Sequence, residues 1–218
     1  MIDRRTCLRL TAGGAIVIGG GTAWAQPAPA MRDVRFRLLR SGSSIGTYNV
    51  AFRPDGSKTI AVVDIDITVR VAFITAFRYR HNSEETFEGG HLVAVRSTTN
   101  DNGRNYGVTG QATRDGFRIE GPSGPYTAPA NLLTSNSAWN TNFVRQQALI
   151  NVQQGGQCGL VANRVGTESV TVQGAPVEAT KYRAVTPQCG GHVWYAPDGR
   201  WVHAVLEMRG EQVEYVLA

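Results

Sequence analysis

The run Arg80-His81-Asn82-Ser83-Glu84-Glu85 holds the residue types that acid–base chemistry uses. On an extended strand alternate side chains face one way, so His81, Ser83 and Glu85 project together. An imidazole and a carboxyl group in one pocket can exchange a proton with a substrate, and an enzyme centred on His81 and Glu85 is one reading. A structural pair at a strand end, beside the turn at Gly89-Gly90, is the other. Upstream, Asp64, Asp66 and Arg70 alternate with Val63, Ile65, Ile67 and Val69. The charged set either lines a polar ligand cavity or forms the solvent face of a half-buried strand. If the apolar set is on the concave side, the cavity is greasy, and Phe73, Phe77 and Tyr79 become ligand contacts.

Trp139 and Trp194 are large anchors that serve either a core or a ligand wall. Trp139 is the more interesting because it falls in an irregular stretch. Ser135 and Ser137 lie in TSNSAWN without a neighbouring base, and no Gly-x-Ser-x-Gly elbow is present. His91, His192 and His203 are too widely spaced to define a triad or a metal site. No metal and no cofactor is expected.

The elements that would position these residues are strands. Val34, Phe36 and Leu38 alternate with Arg35, Arg37 and Leu39, and Tyr48, Val50 and Phe52 alternate with Thr47, Asn49 and Ala51. Period-two alternation marks strands with one buried face. The run from Val63 to Tyr79 would be about 55 Å long as one strand, so a break or bulge is expected near Ala72 to Ala76. Turn signals then recur at Gly89-Gly90, Asn102-Gly103, Asp115-Gly116, Gly174, Asp198-Gly199 and Gly210. Residues 121–157 differ, being rich in Gly, Pro, Ser and Asn at first, with a short helix expected near Asn142–Ala148. A stretch of that length is uncommon unless it covers or gates something. The expectation is an all-β fold: an antiparallel up-and-down meander of about a dozen strands curled into a closed or half-open barrel. A β-sandwich is the alternative.

The N-terminus offers a competing clue. AIVIGGGTA resembles the glycine-rich turn of a dinucleotide-binding fold. The third glycine position falls on Trp24, and Pro27 and Pro29 block the helix that must follow. A secretory signal peptide fits better. Arg4, Arg5 and Arg9 precede a short apolar core from Thr11 to Thr22, and Ala23-Trp24-Ala25 is a small-x-small cleavage site. The Arg4-Arg5 pair resembles the twin-arginine export motif, with Cys7 where a Phe is usual. The core is too short for a stable membrane span. The expected layout is a signal peptide over 1–25, a Pro/Ala linker over 26–32 and one β-domain over 33–218.

Removing 25 residues from 218 leaves 193, enough for one sizeable core. The signal stretch carries three Arg and one Asp, so the net charge falls from +5 to +3. The arginines are spread along the chain without a basic run, so nucleic-acid binding has no support. Cys158 and Cys189 remain. In an oxidising compartment a disulfide is the first reading, stabilising by about 3–4 kcal/mol, with free thiols and a Cys/His metal half-site as the others.

Three segments carry a family likeness: LLRSGSSIGTYNVAF, DIDITVRVAFITAFRYRHNSEETFEGGHLVAVRSTTNDNG and WYAPDGRWVHAVLEMRGEQVEYVL. Together they resemble the exported bacterial β-proteins catalogued as domain of unknown function family 6134. The likeness is weakest over 121–157 and implies no activity and no catalytic residues. The last segment is also similar to other exported curved-sheet proteins, some of which resemble periplasmic lipid carriers.

The functional expectation is a periplasmic or secreted protein that meets the export machinery and then binds an apolar or amphipathic small molecule. An envelope assembly protein without a ligand and a His81/Glu85 enzyme are the alternatives. Protein recovered from its own envelope is expected to begin at Gln26, and an intact mass that retains residues 1–25 would count against cleavage.

Overall fold

The computed structural model describes residues 31–218, so the signal-peptide and most of the linker expectations lie outside the described residues. Eight strands follow one another: β1 (Val34–Arg40), β2 (Ser43–Asp55), β3 (Lys58–Val71), β4 (Ile74–Glu88), β5 (His91–Asp101), β6 (Arg104–Thr113), β7 (Gly116–Glu120) and β8 (Tyr126–Ala128). An irregular segment over 129–160 then carries two 3-10 turns and a two-stranded ribbon, β9 (Ala148–Ile150) and β10 (Gln157–Gly159). The meander resumes with β11 (Val161–Val172), β12 (Ala175–Val185), β13 (Cys189–Tyr195), β14 (Trp201–Met208) and β15 (Glu211–Leu217).

Thirteen strands form one antiparallel sheet in the order β11-β12-β13-β14-β15-β1-β2-β3-β4-β5-β6-β7-β8. The two halves of the chain therefore meet where β15 pairs with β1. The sheet is strongly curled. Arg209, in the turn after β14, reaches Asp101 at the end of β5 at 2.6 Å. Five strand spacings separate β15 from β5, roughly 24 Å on a flat sheet. The sheet does not close, because β8 and β11 each pair on one side only.

The break expected after Val71 is a full reversal. Ala72 and Phe73 form a two-residue hairpin loop between β3 and β4, with Ala72 in the left-handed region at φ 54°. The helix expected near Asn142–Ala148 is not an α-helix. Thr141–Arg145 forms a 3-10 turn, and Ala148 already belongs to β9. The Asn140 side chain accepts the Asn142 N–H, and the chain is extended again at Gln146, so the turn is too short to propagate.

Inward residues of the sheet are the apolar members of each alternating strand, among them Phe36, Leu38, Val50, Val63, Ile65 and Ile67. The irregular segment packs on this same concave side and buries Leu132, Leu133, Trp139, Phe143, Leu149 and Ile150. Trp139 stacks edge-on against Phe52 at 4.8 Å and Phe87 at 5.4 Å. Phe36, Tyr48, Trp201 and Tyr215 form a second aromatic group from four neighbouring strands.

Gly46 has a steric reason to be glycine. A Cβ there would collide with the backbone carbonyl of Asp66, on the strand that pairs with it. Gly46→Ala is expected to destabilise by about 2–4 kcal/mol, read as a lower urea midpoint. An unchanged midpoint would show that β2 and β3 can part at no cost.

Candidate functional site

His81, Ser83 and Glu85 do share a face of β4, and that face points inward. All three are buried, with Glu85 fully so. Their partners come from the irregular segment, which crosses them at Thr134, Asn136 and Ser137. The Thr134 hydroxyl lies 3.0 and 2.9 Å from the two Glu85 carboxyl oxygens. Ser83 and Ser137 donate to the same carboxyl at 3.2 and 3.3 Å. The Asn136 amide donates to His81 Nε2 at 2.7 Å and reaches the Ser83 hydroxyl at 3.5 Å. With Nε2 accepting, His81 Nδ1–H donates to Thr99 on β5 at 2.8 Å. Ser97 donates to the Val152 carbonyl, Tyr48 to the Asn136 carbonyl and Tyr195 to the Ala138 carbonyl.

This is a closed hydrogen-bonded layer between sheet and segment. His81 and Glu85 do not touch; Ser83 and Asn136 stand between them. Burial pushes the Glu85 carboxyl up to about 7, against the pull of its Thr134, Ser83 and Ser137 hydrogen bonds. Burial pushes the His81 imidazole down to about 4. Both groups are therefore held toward their neutral forms, and each accessible polar atom already has a protein partner. The arrangement fastens the segment, and no substrate atom can reach it without opening the layer.

Beside this layer the interior holds a cavity of about 780 Å³. Ile65, Ile67 and Val69 of β3 and Trp201, Val213 and Tyr215 of β14 and β15 line its sheet side. Phe143, Leu149 and Leu160 of the irregular segment form the opposite wall. The segment is thus a fixed wall of the cavity, pinned by the polar layer, and not a lid across its opening. Two ion pairs stand at the open end. Arg40 grips Glu211 through two hydrogen bonds of 3.0 and 2.6 Å, and Arg209 holds Asp101.

Two residues of the cavity lining each hold a buried polar atom with no partner among the described residues: the Tyr79 hydroxyl and Asp101 Oδ1. Tyr79 and Asp101 face each other directly across β4 and β5. Burial is the main cause that raises the Tyr79 phenol well above its ordinary value, followed by the neighbouring Tyr215 and Asp101. A buried hydroxyl and a buried carboxylate oxygen left unsatisfied on paired residues mark a polar region of a mostly apolar chamber.

The remaining sequence candidates separate. Phe77 and Tyr79 line the cavity, whereas Phe73 is fully exposed at the hairpin tip, because the chain reverses before that position can face inward. Asp64, Asp66 and Arg70 lie on the outer face of β3, opposite the cavity-lining Ile65, Ile67 and Val69. Asp66 pairs there with Arg80 at 2.9 Å. Trp139 is core, and its indole N–H has no partner among the described residues. Trp194 faces away from the cavity, since the adjacent Val193 lines it, and donates to Glu168 at 2.8 Å. Cys158 and Cys189 are free thiols, so the expected disulfide is not formed in this structure; Cys189 sulfur lies 3.6 Å from the Thr186 hydroxyl. Burial, then the Cys189 charge, raises the Cys158 thiol. Among the described residues no three His, Cys, Asp or Glu side chains could hold a metal ion, and no helix is long and apolar enough to cross a membrane.

Sequence reasoning missed Thr134, Asn136 and Asp101. Nothing in TSNSAWN fixes which strand it will meet, although its density of short polar side chains beside Trp139 was a signal of a buried polar contact. Asp101 looked like a turn residue, and only the curl of the sheet makes it face the cavity.

A β-barrel-like protein of domain of unknown function DUF1849 from Brucella abortus has a similar structure, with a TM-score of 0.60. The match covers 85% of this chain and 94% of that one at 7% identity, so the likeness is one of fold alone. The family model described as Domain of unknown function (DUF6134) matches residues 36–218. No curated protein matches the chain.

The polar layer predicts a specific pH response. The raised Glu85 carboxyl favours the fold fully below about pH 4.5 and loses that contribution as pH rises through about 7. The lowered His81 imidazole acts oppositely, favouring the fold above about pH 6.5 and losing that as pH falls through about 4. Between pH 4.5 and 6.5 the two slopes cancel in the native protein. Glu85→Gln removes one of them, so its stability is expected to rise with pH over that window. Its stability relative to the native protein is expected to shift by about 3 kcal/mol between about pH 4.5 and pH 8. Urea unfolding across this range measures it, and parallel curves for the two proteins would show that Glu85 is not confined in this way.

Proposed function

The chain belongs to the DUF6134 family, and for this member we propose that the curled sheet is a half-open barrel holding one amphipathic small molecule, without catalysis. The observation that carries this reading is a mostly apolar cavity of small-molecule size whose lining includes Tyr79 and Asp101, each with a buried polar atom that has no partner among the described residues. The volume of about 780 Å³ lies in the range of small-molecule pockets, roughly 300–1,000 Å³. An apolar chain suits Ile65, Ile67, Val69, Phe143, Leu149 and Tyr215. A head group that both accepts from Tyr79 and donates to Asp101 suits the polar region, and a neutral hydroxyl does both. A carboxylate at neutral pH only accepts, so it could not satisfy Asp101 Oδ1. The ligand class is therefore a hydroxyl-bearing hydrocarbon in preference to a fatty acid. The Arg4-Arg5 motif and the Ala23-Trp24-Ala25 site support export to the periplasm, where such envelope lipids are encountered.

Displacement of the fluorescent apolar probe N-phenyl-1-naphthylamine tests the site. The native protein is expected to bind the probe and to release it to 1-hexadecanol more readily than to hexadecanoic acid. Leu206 and Val213 both line the cavity, so Leu206→Trp and Val213→Trp each fill it, and each is expected to weaken probe binding at least tenfold. Tyr79→Phe is expected to weaken the alcohol by about three- to tenfold while sparing the probe. Equal probe binding by both cavity-filling variants would overturn the proposal.

A further inference from the structure

The β3–β4 hairpin outruns its pairing with both neighbours. Pairing with β2 stops at Ile67, and pairing with β5 stops at Tyr79. Residues 68–78 therefore continue as a two-stranded arm paired with neither neighbouring strand, about four residues or roughly 13 Å past the last Tyr79–Asp101 pair. Its tip is apolar and bare: Val71 is 62% exposed, Phe73 102% and Ile74 73%. Scattered exposed apolar residues are ordinary, but three at four consecutive positions on a projecting tip are not.

The turn itself argues that these residues were not chosen for turning. The loops Ser41-Gly42, Gly56-Ser57, Gly89-Gly90, Asn102-Gly103, Gln173-Gly174 and Arg209-Gly210 all contain glycine. The Arg114-Asp115 loop has none but is followed directly by Gly116, at φ 139°, whereas Ala72-Phe73 places an alanine in the left-handed region with no glycine beside it. That conformation costs alanine about 1 kcal/mol or more. A large aromatic, Phe73, sits next to it fully exposed.

The charge around the arm has one sign. Arg70 and Arg78 flank the tip. The Arg78 backbone exchanges hydrogen bonds with Asn102 in the β5–β6 turn, and Arg104 opens β6 just after that turn. None of these three arginines forms an ion pair among the described residues. Of the acidic groups at this end, Asp66, Asp101 and Glu211 are paired with Arg80, Arg209 and Arg40, and the exposed Glu207 before the Arg209 turn is the one without an ion pair among the described residues, so the three free arginines outnumber it. The end of the barrel is thus positive around an apolar point. It is also the end at which the cavity opens, since Val71, Ala76 and Phe77 line it along with Arg40 and Arg209.

We infer that the β3–β4 tip is a membrane-docking device that inserts Val71, Phe73 and Ile74 into the interface of an anionic lipid surface. The arginines then rest against the phosphate layer, and the cavity mouth faces the bilayer. The area separates this from a protein partner. A stable protein interface takes about 800 Å² from each side, which a four-residue tip does not offer, whereas a bilayer accepts a narrow insertion. The docking surface stands on the tip and its charges, independently of whether the cavity holds a ligand.

Co-sedimentation of the purified full chain with vesicles tests it. Binding is expected to equimolar phosphatidylglycerol and phosphatidylcholine, to weaken with added salt, and to be at least tenfold poorer to phosphatidylcholine alone. Phe73→Ser with Ile74→Ser is expected to lower the vesicle partition at least tenfold, with circular dichroism and naphthylamine binding unchanged. Arg70→Gln and Arg78→Gln are each expected to lower it roughly fivefold on the anionic vesicles. A Phe73→Trp variant is expected to show blue-shifted emission when anionic vesicles are added. Equal partition of native protein and the double-serine variant, or unshifted emission from the Phe73→Trp variant at saturating lipid, would overturn the inference. So would a lipid-free dimer that the Phe73→Ser, Ile74→Ser substitutions convert to monomer, since the tip would then be a self-association contact.

Discussion

The structure depends on satisfying polar groups where an irregular segment crosses the inside of a curled sheet. A loop brought into an apolar interior carries backbone donors and acceptors that no neighbouring strand automatically pairs. Here β4 and β5 supply a polar patch on their concave face, and Thr134, Asn136 and Ser137 complete it. Tyr48 and Tyr195 add hydroxyl donors to two carbonyls of the segment. Leaving one member of such a layer unpaired costs about 1–3 kcal/mol, so the layer specifies a single seat for the segment.

That seat determines what space is left over. On one side of the polar layer the segment buries Trp139 against Phe52 and Phe87 and the interior is filled. On the other side Phe143, Leu149 and Leu160 face the sheet across a gap. The gap persists because both walls are held. The sheet wall carries the interlocked rings of Phe36, Tyr48, Trp201 and Tyr215, and the segment wall is tied down through Asn136 and Ser137. Neither wall can relax inward without breaking buried hydrogen bonds or aromatic packing.

The open edges are treated differently from the cavity. β8 is only three residues long, which offers little to an incoming strand. β11 is long and exposes Val161 and Val165, but its register with β12 shifts between Arg164 and Gly166. A bulge at that point bends the strand, and Arg164 and Glu168 add charge along it. A sheet that stops short of closure can thus remain unpaired at both margins.

Much of the architecture was legible in residue alternation. Val63, Ile65 and Ile67 against Asp64 and Asp66 fixed the two faces of β3, because a strand has a period of two and only one face can be apolar and buried. The glycine turns marked most hairpins, since a tight reversal needs a left-handed residue. The hairpin at Ala72-Phe73 escaped that rule and was legible only as an excess of length. The sequence by itself also placed His81, Ser83 and Glu85 on one face, because their spacing is local. It did not determine that this face meets Thr134 and Asn136, nor that Asp101 stands beside Tyr79 within reach of Arg209. Those meetings join residues far apart in the chain. They follow from strand register and curl, which sum small twists over many strands and are decided only when the whole sheet packs around its inner segment.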